Sequence, residues 1–157
     1  MKTLITPTEV VTLAFADGEF ITAQSITEAN IIATEERHIV PVVGRKLHTK
    51  LLAGLYPEFT TQYLAAAVAL FTRAAIQPLL DIRTGQGGTV APRSSSFEPA
   101  SDAALRRLQK TLRTQARTLL GRASRHLAEN STSFPEYDDD QNILKKCTIH
   151  GNLVQVR

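Results

Sequence analysis

The fold is decided by residues 101–130, SDAALRRLQKTLRTQARTLLGRASRHLAEN, because they encode one long amphipathic helix. Its apolar residues recur at steps of three and four, which places them in one arc roughly 120° wide, the width of a stripe that faces a core. These residues are Leu105, Leu108, Leu112, Ala116, Leu119, Leu120, Ala123 and Leu127. At about 1.5 Å per residue the helix is roughly 40 Å long. Because a domain of this size needs less length for its own core, we expect something outside the domain to use the rest.

A stripe of basic residues runs beside the apolar arc of the same helix. Between residues 102 and 129 seven Lys or Arg stand against two acids, a net charge of +5, whereas the whole chain carries +3. Residues 1–60 hold five basic and seven acidic groups, a net charge of −2. A basic helix beside acidic ends suits nucleic acid, and it suits the association of identical subunits equally well. The stripe consists of Arg106, Lys110, Arg113 and Arg117, and the far side of the helix carries Arg107, Arg122 and Arg125.

The composition is that of an ordinary globular protein. In a chain of 157 residues, 43% are hydrophobic and 21% are charged, which predicts one domain with a sizeable core. The single cysteine, Cys147, excludes an intramolecular disulfide and indicates folding in a reducing compartment. No signal peptide is visible, and the longest apolar run, residues 63–71, is too short to span a bilayer. We therefore expect synthesis in a cytoplasm and no membrane partner.

Capping signals predict two helices in the first third of the chain. Thr6-Pro7-Thr8-Glu9 is an N-cap with a reciprocal acid, and it opens a helix that runs to about Ala16. Ser25-Ile26-Thr27-Glu28 repeats the pattern and opens a second helix that runs to about His38. The acids and the arginine of this second helix are expected to be largely solvated, namely Glu28, Glu35, Glu36 and Arg37.

The middle of the chain predicts a break followed by a central helix. Pro41 removes a backbone donor and Gly44 suits a left-handed turn, so the second helix is expected to bend or end here. A short helix should follow over residues 45–53. Residues 63–71 are apolar on every face, and Arg73 and Gln77 form a polar edge, which predicts a helix over about 60–82 that is surrounded by the rest of the domain.

The remaining segments predict short β elements. Residues 84–99 are rich in Gly, Pro and Ser and are long for a structureless connection, so we expect a short hairpin in a functional or partner-ordered loop. Residues 147–156 alternate around a Gly-Asn turn, which predicts a C-terminal hairpin arm. The predicted fold is a mainly α helical bundle, with a helical domain over residues 1–137 and an extension over 138–157.

The motifs of common active sites are missing from this sequence. Gly85-Gln86-Gly87-Gly88 follows a helix and lacks the Lys-Ser/Thr of a phosphate loop. No pair of histidines has metal-ligand spacing. Asp138-Asp139-Asp140 is contiguous, whereas ion loops place their carboxylates at alternate positions. We expect no catalytic residue, no cofactor and no metal, and therefore a protein that is not an enzyme.

The basic stripe has three interpretations. The helix is too long for a recognition helix, no Asn or Gln stands at base-reading spacing, and no aromatic residue is interleaved for stacking on single strands. A solvated face and pairing with an acidic patch of a neighbouring subunit therefore stand equally, ahead of contact with DNA phosphates. The acidic patch expected for such pairing is Asp138, Asp139 and Asp140.

The order of these segments resembles a known family. A capped helix runs into IVPVVGRKL at residues 39–47 and LLAG at residues 51–54, and an apolar helix follows. A Thr-Gly loop with a short hairpin then precedes the long helix, which ends near Phe134-Pro135-Glu136-Tyr137. Over about residues 20–137 this order is similar to the head–tail connector (adaptor) proteins of tailed phages and prophages, particularly the versions in phages of gut Bacteroidetes.

The resemblance implies a structural protein of the virion. Connectors of this family are helical protomers in a ring, usually twelvefold, beneath the portal protein; the ring passes the DNA and receives the tail or a second adaptor. By this resemblance the basic stripe faces a neighbour or the DNA channel, and the loop residues Gly85, Gly87, Gly88 and Val90 are candidates for contact with the portal or a neighbour. The alternative function is a small basic helical protein that binds or packages DNA.

Overall fold

The computed structural model describes residues 2–16, 19, 21–85, 88–90, 100–150 and 153–156, and in its strands it describes the backbone. Helices make up most of this part of the chain, which confirms the mainly α class. They are α1 (Pro7–Ala14), α2 (Glu28–Thr34), α3 (Val40–Val43), α4 (Arg45–Leu52), α5 (Pro57–Phe59), α6 (Ala65–Leu80) and α7 (Asp102–Glu129). Two antiparallel strand pairs are β1 (Arg83–Gly85) with β2 (Gly88–Val90), and β3 (Cys147–His150) with β4 (Leu153–Val156).

The predicted capping box of α1 is confirmed, and that of α2 is displaced by two residues. Thr6 Oγ1 accepts the Glu9 amide at 3.2 Å, and the Glu9 carboxylate accepts the Thr6 amide at 2.6 Å. In α2 the N-cap is Thr27, whose partner is Asn30. Ser25, the expected cap, ends a 3₁₀ turn instead. An Asn amide oxygen accepts the N-cap amide as a Glu carboxylate does, so the box forms two residues further along the chain.

The helix that was expected to end near His38 continues to Val43. A π-helical turn, Glu35–Ile39, joins α2 to α3 without a break. Its wider spacing loosens the hydrogen-bond ladder one turn before Pro41, which has no N–H to donate. The chain turns away only at Gly44, whose φ of 82° lies in the region that side chains disfavour.

The apolar helix α6 is central, as predicted. It packs against α1, α2 and α7. By length and composition the helical span Pro57–Leu80 would also suit a membrane, but 56% of its most apolar window is buried in this fold, so it is weak evidence for a span. The buried residues of α6 include Ala65, Ala67, Val68, Ala69, Phe71, Ala74 and Ile76.

The polar edge of α6 is mostly covered. Arg73 is only 9% exposed. Its guanidinium donates to the carbonyl of Ala14 and, at 2.8 Å, to Glu19, and it lies 4.3 Å above the ring centre of Phe15. Arg73 therefore joins α6 to the end of α1, two residues before the point where α1 was expected to stop.

The segment after α7 packs on the helices beyond the expected domain boundary. Asn142 is fully buried, and its amide nitrogen donates to Ser124 at 2.6 Å and to the Tyr137 hydroxyl at 2.8 Å. Its amide oxygen accepts the Leu144 amide at 2.9 Å. The boundary predicted after residue 137 therefore does not mark a change in packing, because the helical domain continues to Leu144.

A buried carboxylate connects three distant parts of the chain. Glu35, which was expected to be solvated, is 1% exposed. One of its oxygens accepts the Leu4 amide at 2.8 Å, and the other accepts Nε2 of the buried His48 at 3.0 Å. Glu35 therefore holds the N-terminal segment and α4 against the π turn.

Replacement of this carboxylate should destabilise the fold. Glu35→Ala leaves the Leu4 amide and the His48 ring without their acceptor inside the protein, so we expect a loss of about 2–4 kcal/mol in the free energy of unfolding. Urea denaturation followed by circular dichroism measures it. The matched control is Glu36→Ala, since Glu36 is exposed and bonds only Arg45. A control variant as unstable as Glu35→Ala would contradict this role.

Candidate functional site

The long helix α7 is only partly used by the core. Of the predicted apolar arc, the positions from Leu112 onward are buried except Leu119, and Leu105, Leu108 and Leu119 are half-buried. No residue of α7 before Leu112 is buried, although the structure describes all of this helix. Its first ten residues therefore extend beyond the core, which agrees with the expectation from its length. The buried positions of the arc are Leu112, Ala116, Leu120, Ala123 and Leu127.

The basic stripe of α7 faces outward. Arg106, Lys110, Arg113 and Arg117 are all exposed, and none has a carboxylate within ion-pair distance in the described ranges. On another face Arg122 lies 4.5 Å above the ring centre of Tyr63. The stripe therefore keeps its full positive charge for an outside partner.

Helix α6 runs antiparallel to α7. Beside it, the C-terminal half of the basic stripe, Arg113 and Arg117, borders a cleft. The Tyr63 ring, just before α6, stacks on His126 near the end of α7 with centroids 4.2 Å apart. Further along α6, Ala74 and Ala75 line a cleft of about 310 Å³ together with Arg113 and Arg117. The other wall comes from α2 and its π turn. We call this space the basic cleft, and its charged or aromatic lining is Arg37, His38, Phe71, Arg113 and Arg117.

His38 forms the centre of the basic cleft. Its ring lies flat on Phe71, with centroids 4.1 Å apart and planes 6° apart. Burial lowers the pKa of His38, and the nearby charges of Arg37, Arg117 and Arg113 lower it further. The imidazole is therefore neutral at neutral pH, and the three arginines carry the charge of the cleft.

Only part of the lining of this cleft was predicted from the sequence. Arg113 and Arg117 belong to the predicted stripe, whereas Arg37 was expected to be solvated and His38 to end a helix. Arg37 is indeed exposed, but it faces the two arginines of α7 across the cleft. No spacing in residues 35–38 signals that a π turn brings this stretch to α7.

The acidic triplet is partly occupied within its own chain. Asp138 accepts the Asp140 amide at 3.1 Å and the Gln141 side chain at 2.7 Å. Asp139 accepts Lys145 Nζ at 2.6 Å, and this hydrogen bond holds the pKa of Asp139 below its ordinary value. All three residues are exposed, and within the described chain only Asp139 is in an ion pair, so pairing of the triplet with a neighbour's basic stripe stays a prediction.

The loop candidates lie in the first strand pair or outside the described residues. Gly85 ends β1 and pairs with Gly88, and Val90 ends β2 opposite Arg83. Gly87 lies outside the described residues, as does most of the loop that follows. Within the described ranges, no group of three His, Cys, Asp or Glu residues is placed to hold a metal ion.

An aromatic cluster stands at the other end of α7. Phe59 lies 5.1 Å from Phe134 and 5.6 Å from Tyr63 between ring centroids, and His126 stacks on the same group. The Tyr56 hydroxyl donates to Glu136 at 3.0 Å. These contacts fix the segment after α7 against α5, so the cluster has a structural role.

A family model matches residues 36–146, from the π turn to the segment after α7. The family is a family of unknown function, DUF6712. This chain belongs to that family. The match covers more than half of the chain and includes every lining residue of the basic cleft from Arg37 onward. No curated protein matches the chain, and no solved structure does.

The charge of the basic cleft should be measurable at His38. Arg117→Ala removes a cation beside the imidazole, so we expect the pKa of His38 to rise. NMR titration of the His38 ring measures it. Arg106→Ala is the matched control, because Arg106 does not line the cleft and should leave the pKa unchanged. An equal rise in both variants would contradict a local effect.

Proposed function

We propose that this chain is a structural subunit of a phage virion, a head–tail connector that forms a ring beneath the portal protein. The ring joins the capsid to the tail and lets the DNA pass. One observation carries the proposal: the first ten residues of α7 extend beyond the core and present cations that pair with no carboxylate of the described ranges, beside half-buried leucines. A helix with this surface serves contact with another subunit.

Ring assembly requires one surface of a subunit to meet a different surface of the next. The projecting part of α7 has the composition of such a surface, with arginines around an apolar centre. Because α6 is antiparallel to α7, the end of α6 lies beside this part. There Leu79 is 64% exposed and Ile82 is 38% exposed. Apolar area and positive charge therefore occur together at one end of the protomer.

The proposed partners follow from the resemblance to head–tail connectors. Identical subunits, in a ring that is usually twelvefold, contact the basic stripe through residues of opposite charge. The portal protein lies on one side of the ring, and the tail or a second adaptor lies on the other. The loop that contains Gly85, Gly87, Gly88 and Val90 contacts the portal or a neighbour. In this proposal the protein is not an enzyme, it is made in the host cytoplasm, and it acts at the head–tail junction.

The alternative is a small DNA-binding or DNA-packaging protein, and the arginines of the basic cleft favour it, since no carboxylate among the described residues pairs with them. A protein that neutralises several phosphates releases counterions, so its affinity for duplex DNA falls steeply with salt. Gel-shift titrations at about 50 and 200 mM salt distinguish the two functions. A connector ring with its apolar contacts persists at the higher salt, whereas a DNA binder releases its duplex.

Charge reversal on the projecting part of α7 tests the ring. We expect native mass spectrometry, with and without portal protein, to find a large ring for the wild-type chain. The double variant Arg106→Glu/Lys110→Glu should stay monomeric and folded, because both side chains are exposed and support no contact inside the protomer.

The matched control reverses two exposed charges outside the projecting part, in Lys50→Glu/Arg125→Glu. This control variant has the same net charge as the Arg106/Lys110 variant and should still form rings. Rings of normal size in the Arg106/Lys110 variant would contradict the proposed interface.

A further inference from the structure

The basic cleft is one end of a longer groove. A second cleft of about 450 Å³ adjoins it, and both are lined by Arg37, His38, Phe71 and Arg117. We call the two together the α2–α7 groove. Its far end is apolar and is lined by Pro41, Val42, Leu120, Ile143 and Leu144. The groove therefore joins a positively charged end to an apolar end.

The charged end carries three cations. Arg37, Arg113 and Arg117 line the same space, and no carboxylate of the described chain pairs with any of them. Cations that line one cleft attract an anion. A guanidinium presents two parallel N–H donors that match a carboxylate or a phosphate.

The apolar end of the groove indicates which of the two anions, a carboxylate or a phosphate, the ligand carries. Ile143 is 46% exposed at this end, beside the half-buried Leu144. A ligand that covers this side chain gains the free energy of removing apolar area from water. A nucleic-acid backbone contributes phosphates and sugars, whose few methylene groups bury much less apolar area than a branched aliphatic side chain does. A peptide can place an aliphatic side chain there and carboxylates at the arginines.

We propose that the α2–α7 groove binds a peptide segment of a partner protein in which two or more carboxylates follow an aliphatic side chain. The carboxylates pair with Arg37, Arg113 and Arg117, and the aliphatic side chain packs on Ile143. Six extended residues span at most about 20 Å, so one hexapeptide can carry its carboxylates and its aliphatic side chain at separate positions along the groove. This inference goes beyond the connector function and does not depend on it.

Fluorescence anisotropy with two labelled hexapeptides tests the groove. One contains a leucine followed by three acidic residues, and the other has serine in place of the leucine. We expect the leucine peptide to bind about tenfold more tightly, because only it covers the apolar end. The host is the Arg106→Glu/Lys110→Glu variant, in which the groove is intact and ring assembly does not interfere.

Three further variants assign the binding to the groove. Adding Arg113→Glu/Arg117→Glu to the host should weaken binding of the leucine peptide at least a hundredfold. Adding Arg107→Glu/Arg125→Glu, which reverses two exposed charges outside the groove, should change it less than about threefold, since separated surface charges interact weakly. Ile143→Ser should remove the preference between the two peptides. Thermal unfolding by circular dichroism checks that each variant folds.

Four results would contradict the proposed peptide site. Absence of peptide binding would overturn the proposal, as would equal affinity of the host for the two peptides. Equal losses in the two added double variants would assign the binding to the general positive charge of the helix. Tighter binding of a short DNA duplex, lost in the Arg113/Arg117 variant, would assign the groove to phosphates. None of these results bears on whether the wild-type chain forms a ring.

Discussion

The buried carboxylate of Glu35 is the interaction on which the rest of the structure depends. It accepts one hydrogen bond from the Leu4 amide and one from His48, so a single side chain holds the N-terminal segment and α4 against the π turn. A buried carboxylate is stable only when such partners are present. Arg37 and His38 belong to the same π turn, so the geometry that turns Glu35 inward also places them in the basic cleft.

The elements that the sequence predicted well depend on local spacing. The apolar arc of α7 and the box at Thr6 each require residues three or four positions apart, and regular helix geometry brings such residues together. The apolar surface of α6 is equally local, since it needs only the composition of one helix. These features established the mainly α class and the length of α7 without any knowledge of tertiary contacts.

The features that the sequence did not predict depend on distant partners. Glu35 and Glu36 are adjacent and chemically alike, yet one is buried and the other pairs with Arg45 at the surface. Both belong to the π turn, in which one carboxylate points inward and the other outward, and a period of 3.6 residues does not reveal that turn. Asn142 looks like a turn residue, and its burial depends on Ser124, which lies 18 positions away in α7. Half of the basic cleft was missed for the same reason, because Arg37 meets Arg113 only in the folded chain.

Because α7 is buried unequally, the stability of its backbone differs between its two ends. The second half is anchored by Leu112, Leu120 and Leu127, so its backbone opens only when the core opens. The first three turns have no buried side chain, and their hydrogen bonds depend on helix propensity and on the Ser101 cap. Amide hydrogens there exchange through local fraying. A partner that covers this end must also suppress the fraying, so the entropy lost in ordering the helix opposes association. In the proposed ring, assembly on this surface would also complete the ordering of α7.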